Sequence, residues 1–265
     1  MNLYSSIAAI AFYTIAAGMQ YRDLNRDLSR PSLLTGLAAV LCHAVAAITA
    51  IHTVNGMDLG VIQVLSLITW LICLITVSAS LRRPLHNLLI PLYPLAAVSL
   101  LAELLIPERQ QLLQHQPIGV LCHILLSILA YSVLTIAATQ AIVLALQDRM
   151  LREHHLKGLP SILPPLQTME AMLFELIWAG FALLSLAIIT GGIYVDDMLA
   201  QHLLHKTAFS VLSWILLAIL LCGRVALGWR GKVAIRWTLG AFGCLLLGYL
   251  GTKIALSIII HVSST

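Results

Sequence analysis

Residues 117–147 read PIGVLCHILLSILAYSVLTIAATQAIVLALQ, 31 residues without a charged side chain. As a helix this stretch is about 46 Å long at 1.5 Å per residue, more than a bilayer's hydrocarbon core requires. It ends in Gln147-Asp148-Arg149, where polar side chains begin. Its apolar residues run continuously, with none of the alternation of a membrane β-strand, so a helix is the only spanning structure that satisfies its backbone. The rest of the chain has the same character. Of 265 residues 60% are hydrophobic and only 10% charged, where soluble domains carry roughly 25% charged residues. Mean hydropathy is +0.96.

Eight spans of this kind are predicted, at residues 3–20, 32–52, 61–80, 85–106, 117–147, 171–194, 208–227 and 235–260. The expected fold class is all-α: a polytopic membrane helical bundle forming one integral membrane domain over residues 1–265. The first apolar run has no basic segment ahead of it, so it reads as a retained helix. Arg82-Arg83-Pro84 separates spans three and four with a basic turn and a helix breaker. Twelve of the fifteen Lys and Arg residues fall on one side: Arg22, Arg26, Arg30, Arg82, Arg83, Arg149, Arg152, Lys157, Arg224, Arg230, Lys232 and Arg236. The positive-inside rule makes that side the cytoplasm and places both termini outside. The largest cytoplasmic connection, 151–167, is proline-rich and reads as a linker. The net charge of +4 is explained by topology and carries no implication of a nucleic-acid partner.

Ionisable side chains inside spans are the functional pointers, because hydrocarbon offers them no partners. His43 and His123 both sit in a Leu-Cys-His tripeptide. His43 lies on a small-residue face with Gly36, Ala39, Ala46 and Ala50, which lets another helix approach closely. His123 opens a polar ridge of Ser127, Tyr131, Thr135 and Thr139, spaced by four along one helical face. Such a ridge faces a bundle interior and serves either as interhelical hydrogen-bonding or as a binding surface. His43 lies about 13 Å and His123 about 9 Å below the outer end of its span, so the two could ligate one metal if their helices face each other. A buried hydrogen bond across a helix interface is the structural alternative for His43. His261 ends span eight, and His52, His115, His202 and His205 lie at or beyond the same surface. Glu103 and Lys253 are intramembrane charges that could pair, or Lys253 could meet an anionic ligand. Gly240, Cys244, Gly248 and Gly251 form a close-packing stripe on span eight, and Glu170 and Glu175 stand near the start of span six, where the helix dipole favours anions.

The five cysteines (Cys42, Cys73, Cys122, Cys222 and Cys244) all lie in apolar runs, without CxxC or CxxCH spacing. They read as packing residues, and the chain is not itself a c-type cytochrome. There is no phosphate-binding loop, HExxH or nucleophile elbow, and no enzymatic turnover is expected.

Several segments together carry a resemblance: HILLSILAY from His123 to Tyr131, KTAFSVLSW from Lys206 to Trp214, Gly228-Trp229-Arg230-Gly231 followed by Ala234, and Gly251-Thr252-Lys253. In this order and spacing they resemble the cytochrome c assembly family of haem-handling membrane proteins, of the CcsA, CcmC and HemX type. The likeness is greatest to its YpjD inner-membrane subgroup, covers most of the chain and is best from about Pro117 onward. It implies b-type haem binding, a role in cytochrome biogenesis, a bacterial inner-membrane location, and partners among cytochrome-assembly or other membrane proteins. It also implies that His123 matches an outer-side haem-ligating histidine, that His261 falls about a residue from a second one, and that Lys206 and Trp214 close a tryptophan-rich segment. Here that segment, Gly191 to Lys206, reads GGIYVDDMLAQHLLHK without tryptophan. Cys222 falls close to where some members have a further intramembrane histidine. The resemblance and the reading of the residues together give the expected cofactor-binding residues as His123, His43, His261, Lys206 and Lys253, with His123 and either His43 or His261 on the iron. A small-solute transporter and a structural partner of another membrane protein are the competing readings of the residues themselves.

Overall fold

A computed structural model describes residues 2–22, 30–53, 56–83, 85–106, 112–113, 117–153, 163–194 and 201–263, with the side chains of 2, 53, 56, 112–113, 201–205 and 250–263 outside the description. Among these residues are eight α-helices: α1 Asn2–Arg22, α2 Arg30–Ile51, α3 Val61–Ser80, α4 Leu89–Leu105, α5 Ile118–Arg152, α6 Leu166–Tyr194, α7 Gln201–Leu227 and α8 Lys232–Ser263. Each coincides with an expected span. α5 to α8 extend beyond their apolar stretches, because helical hydrogen bonding continues past the point where hydrophobicity stops. The first seven are long and apolar enough to cross a membrane. Side chains of α8 are described only as far as residue 249.

One feature departs from the all-helical expectation. His52–Thr53 (β1), Gly56–Asp58 (β2) and Leu112–Leu113 (β3) form a small antiparallel sheet, with His52 opposite Met57 and Met57 opposite Leu113. Strands of two and three residues are too short to leave a periodicity in the sequence. Asp58 is buried here and its Oδ1 accepts the Gly60 N–H at 3.1 Å, just before α3 begins.

The chain divides into two compact units: Met1–Gln116 with Arg149–Pro165, and Pro117–Asp148 with Leu166–Thr265. In unit 1, α1 packs on α2 and α4, and α3 packs on the same two helices, giving a closed four-helix bundle. Its core is built of small residues around two tyrosines: Ala9, Tyr13, Ala16, Ala39, Ala46, Cys73, Tyr93 and Ala96 are almost fully buried. The small face of α2 is as expected, with Gly36, Ala39, His43 and Ala46 buried. Gly36 has a specific reason: a Cβ there would collide with the Tyr93 hydroxyl. Between lipid and protein there is little hydrophobic driving force, so this close backbone approach supplies the packing. Large apolar side chains such as Leu34, Leu41, Ile48 and Val98 are exposed, as befits a lipid-facing surface.

Unit 2 consists of α5 to α8. Gly119 on α5 lies against the Tyr194 ring of α6, and Gly180 on α6 receives Leu134 of α5. The Gln140 side chain donates to the Met169 carbonyl at 3.0 Å, tying α5 to α6. A Cβ on Gly248 would meet Phe209 Cβ at 3.0 Å and the Lys206 carbonyl at 3.5 Å, so α8 runs close along α7. The Gly248 position on the predicted stripe is thus a helix contact.

Candidate functional site

The polar ridge on α5 divides in two. Thr135 and Thr139 turn their hydroxyls back onto their own helix, donating to the Tyr131 carbonyl at 2.7 Å and the Thr135 carbonyl at 2.9 Å. A hydroxyl satisfied within its own helix leaves no donor for a ligand. His123, Ser127 and Tyr131 instead line a cavity of about 160 Å³, or about 690 Å³ with the open space at its mouth. α6 supplies Leu184, Ala187 and Ile188 to its wall, and α7 supplies Lys206, Thr207, Ser210 and Val211.

The local chain explains this placement. His123 stands five residues into α5 and Lys206 five residues into α7. Ala187 is seven residues before the end of α6. α5 and α7 therefore start, and α6 ends, at the cavity level. Four-residue spacing then stacks His123, Ser127 and Tyr131 on one face of α5.

His123 has a defined orientation. Its Nδ1 lies 2.8 Å from the Ala187 carbonyl. A carbonyl oxygen only accepts, so Nδ1 carries a proton, and in the neutral ring Nε2 keeps its lone pair. A backbone carbonyl holding one imidazole nitrogen while the other stays available is the usual arrangement for a metal-ligating histidine. Tyr131 is fixed from the other side: its hydroxyl donates to the Leu245 carbonyl of α8 at 3.1 Å, and its ring stands 5.7 Å from that of Tyr249. Lys206 brings a cation to the same cavity. The described lining thus combines one free ligating nitrogen, one ammonium, several hydroxyls and aliphatic walls. This suits an amphipathic ligand bearing both a metal and an anionic group.

Trp214, at the end of the KTAFSVLSW segment, braces this frame. Its indole N–H donates to Ser185 Oγ at 2.8 Å, and its ring stacks on Phe181 at 5.4 Å. The Gly228-Trp229-Arg230-Gly231 segment proves to be a helix connection at the opposite end of the unit. Gly228 and Gly231 have φ of +67° and +57°, conformations that glycine adopts without Cβ strain. The Trp229 N–H donates to the Gly223 carbonyl at 3.1 Å, and a Cβ on Gly223 would strike the Trp229 ring. Glu170 of α6 locks the turn. Its Oε1 takes Arg224 at 2.9 Å and its Oε2 takes the Gly231 N–H at 3.2 Å. Arg224 also donates to the Trp229 carbonyl at 3.1 Å and lies 4.4 Å over the Phe174 ring. Glu170 was legible in the sequence as an anion near a helix start; its partners were not.

His43 belongs to unit 1 and is fully buried. Its Nδ1 shares a 3.1 Å hydrogen bond with the Tyr13 hydroxyl, and its Nε2 a 3.1 Å bond with Ser66 Oγ. Both ring nitrogens are engaged. His52 is exposed on β1. The side chains of His202, His205, Lys253 and His261 lie outside the described residues, as does His115. Glu103 is described, and its Oε2 is buried without a partner among the described residues. Cavity residues that the sequence reading missed are Thr207 and Ser210, which follow Lys206 on the same helix. Their spacing from it, one and four residues, was the available signal.

Comparison with known proteins places this geometry in context. The sequence pattern of the family described as "Cytochrome C assembly protein" matches residues 31–260. The chain is 29% identical over 266 residues to the inner membrane protein YpjD of Escherichia coli strain K12, covering 98% of this chain and all of that protein. It is 32% identical over 140 residues to an Azospirillum brasilense protein described as a 28.8 kDa protein in the nifR3-like 5′ region, covering 52% of each chain. No solved structure matches significantly.

Proposed function

Since the chain belongs to the cytochrome c assembly protein family, we propose that it binds b-type haem in the cavity of unit 2 and serves haem handling in cytochrome assembly. The carrying observation is the state of His123: Nδ1–H held by the Ala187 carbonyl, Nε2 without a partner among the described residues, the ring lining a cavity shared with Lys206. His123 would hold the iron through Nε2. Lys206 would be the cation for a propionate. His261 would be the candidate second ligand and Lys253 the candidate for a second anion contact. His43 is left out of the ligand set, because both its nitrogens already bond within unit 1.

The residues fit the group on two grounds. The cavity brings together one imidazole, one ammonium, several hydroxyls and aliphatic walls, a donor set suited to a metal-bearing ring with anionic groups. The enclosed space of about 160 Å³ is below the 300–1,000 Å³ of a pocket that swallows its ligand. The cavity is open at its mouth and would admit part of such a ring. When bound, haem supplies redox-active iron whose potential follows its axial ligands. The chain's own residues do the rest. Ala187 orients His123, Tyr131 and Trp214 brace α5 against α8 and α6 against α7, and the aliphatic walls exclude water.

The remaining features belong to the same reading. The chain spans the bacterial inner membrane eight times with both termini outside, α8 being the eighth crossing. It acts as a non-enzymatic accessory. The stretch from Gly191 to Lys206 lacks tryptophan, which favours holding or regulating haem over delivering it for covalent attachment. The test is spectroscopic. Purified in mild detergent after expression with ample haem, the protein should show a stoichiometric Soret band. Its absence would overturn the proposal.

A further inference from the structure

On the outer surface of unit 2, α6 and α7 leave a second cavity between them, about 370 Å³ in volume. Trp178 and Phe181 of α6 and Leu221, Cys222, Val225 and Ala226 of α7 line it, with no charged or hydroxyl side chain among them. The α7 residues are spaced by three and four, so they form one stripe of the helix. Trp178 is 50% and Val225 78% exposed, so the cavity opens away from the bundle. From Ala218 to Ala226 it runs about 12 Å along α7, most of the roughly 15 Å of hydrocarbon in one leaflet. At its deep end Phe181 stacks on Trp214 at 5.4 Å.

The other end is basic. Val225 and Ala226 stand in the last turn of α7, directly before the turn that contains Gly228 and Gly231. Arg224 lies 4.4 Å over the ring of Phe174, one turn of α6 before Trp178, and so stands at this end of the cavity. Glu170 Oε1 is 2.9 Å from Arg224 and 3.9 Å from Arg230 Nε. One carboxylate cannot neutralise two guanidinium groups, and the Arg230 side chain stays 71% exposed. Lys232 and Arg236, one turn apart on α8, are exposed as well. On α6, α7, α8 and their turn, these four cations stand against two carboxylates at this end, Glu170 and Glu175, an excess of two positive charges. Trp229 and Trp237 pack at 5.5 Å beside them. Tryptophan together with arginine and lysine is the composition of a helix end at headgroup level.

We propose that this end of unit 2 binds an anionic phospholipid, with one acyl chain in the cavity between α6 and α7 and the phosphate on Arg230 and Lys232. Shape and charge select this occupant. A transmembrane helix crosses about 30 Å of hydrocarbon and is about 10–12 Å wide, whereas the cavity ends within one leaflet. It therefore suits a lipid chain and not a helix of a partner or of a second copy. A lipid without net charge fills the cavity but leaves the excess cations without counter-charge, and basic pockets between transmembrane helices are where anionic headgroups bind. Arg224 stays with Glu170, which also holds Arg230 near the cavity mouth. The bound chain packs α6 against α7 where their own side chains leave a gap. The site makes no use of the cavity around His123 and does not depend on haem binding.

The experiment places full-length protein in phosphatidylcholine bilayers containing a little phosphatidylglycerol with a photoreactive diazirine in its acyl chain. Adducts are mapped by peptide mass spectrometry, and phosphatidylcholine bearing the same chain is the control. Residues 178–181 and 221–226 should take at least about fivefold more adduct from phosphatidylglycerol, the preference that one basic residue confers near an anionic lipid. Arg230→Gln combined with Lys232→Gln should bring the two lipids within about twofold of each other while both still label the cavity. Ala218→Phe fills the deep end and should move the adducts of both lipids off the cavity; should it fail to fold, the charge variants decide. Arg22→Gln combined with Arg82→Gln, an equal loss of charge in unit 1, should change nothing at the cavity. Equal labelling by the two lipids in the wild type overturns the proposal, as does a preference that survives the Arg230 and Lys232 changes or falls equally with those in unit 1. Cavity residues that take no adduct from either lipid, because a second copy covers them, overturn it too.

Discussion

Units 1 and 2 each hold a histidine inside the same tripeptide, Leu-Cys-His, and treat it in opposite ways. In unit 1, His43 is wholly enclosed and both its nitrogens are bonded to side chains, Tyr13 and Ser66. In unit 2, His123 is half-buried, one nitrogen is bonded to a backbone carbonyl, and the other is left at a cavity with a lysine beside it. A histidine bonded at both nitrogens is finished as a ligand and becomes a link in a chain. One bonded at a single nitrogen, by an acceptor that fixes its tautomer, is prepared for a ligand. Both stand in membrane-spanning helices, where an ionisable side chain needs partners; the second partner separates the two kinds.

The strongest way to break this comparison is to remove each histidine in turn. His123→Ala should abolish the Soret band, with at least a tenfold loss of bound haem per protein. His43→Ala should leave the haem content unchanged while lowering stability by about 1–3 kcal/mol, the cost of leaving buried Tyr13 and Ser66 bonds unmade. Absorbance per protein and unfolding in mixed detergent micelles measure the two. Haem loss from His43→Ala alone would invert the contrast drawn above.

Packing differs between the units as well. Gly36→Val drives a side chain into the Tyr93 hydroxyl. It should cost about 1–3 kcal/mol by overpacking, read as earlier unfolding with haem still bound. In unit 2 the lock is polar. Glu170→Gln removes the charge that holds Arg224 and weakens the acceptor for the Gly231 N–H. Both side chains are partly shielded, at 15% and 28% exposure, so the loss lies between that of an exposed and a buried pair, about 1–2 kcal/mol. The same unfolding assay should show it, and raised salt should narrow the gap from wild type.

Lys206→Gln sharpens the comparison within the cavity. A cation paired with a ligand carboxylate at an open mouth contributes modestly, so haem affinity should fall about three- to tenfold while the His-ligated spectrum persists. The smallest effect belongs to Thr139→Val. Its hydroxyl bonds only its own helix, and neither stability nor haem content should change by more than about 0.5 kcal/mol. A large effect there would mean that the lower ridge has a partner across the helix interface.

The ridge shows how far one-dimensional reading reaches. Spacing by four placed His123, Ser127, Tyr131, Thr135 and Thr139 on a single face of α5. It could not show that the last two would satisfy themselves on carbonyls one turn back. The three-stranded sheet was invisible for another reason, since strands of two or three residues have no period. Thr207 and Ser210 were overlooked because a hydroxyl on an apolar helix reads as ordinary until the helix opposite is known.

The sequence by itself determined the helices and their approximate positions. The bilayer imposes that legibility: an unpaired backbone group in hydrocarbon is so costly that any spanning segment must be a continuous apolar helix of about 20 residues. The sequence also marked both histidines as out of place. Only the tertiary structure decided which has a nitrogen to spare. The Ala187 carbonyl is 64 residues from His123, and Tyr13 and Ser66 are 30 and 23 residues from His43. Whether an imidazole is a ligand or a link depends on which groups the packing brings to its two nitrogens. Local periodicity carries no trace of partners that far along the chain.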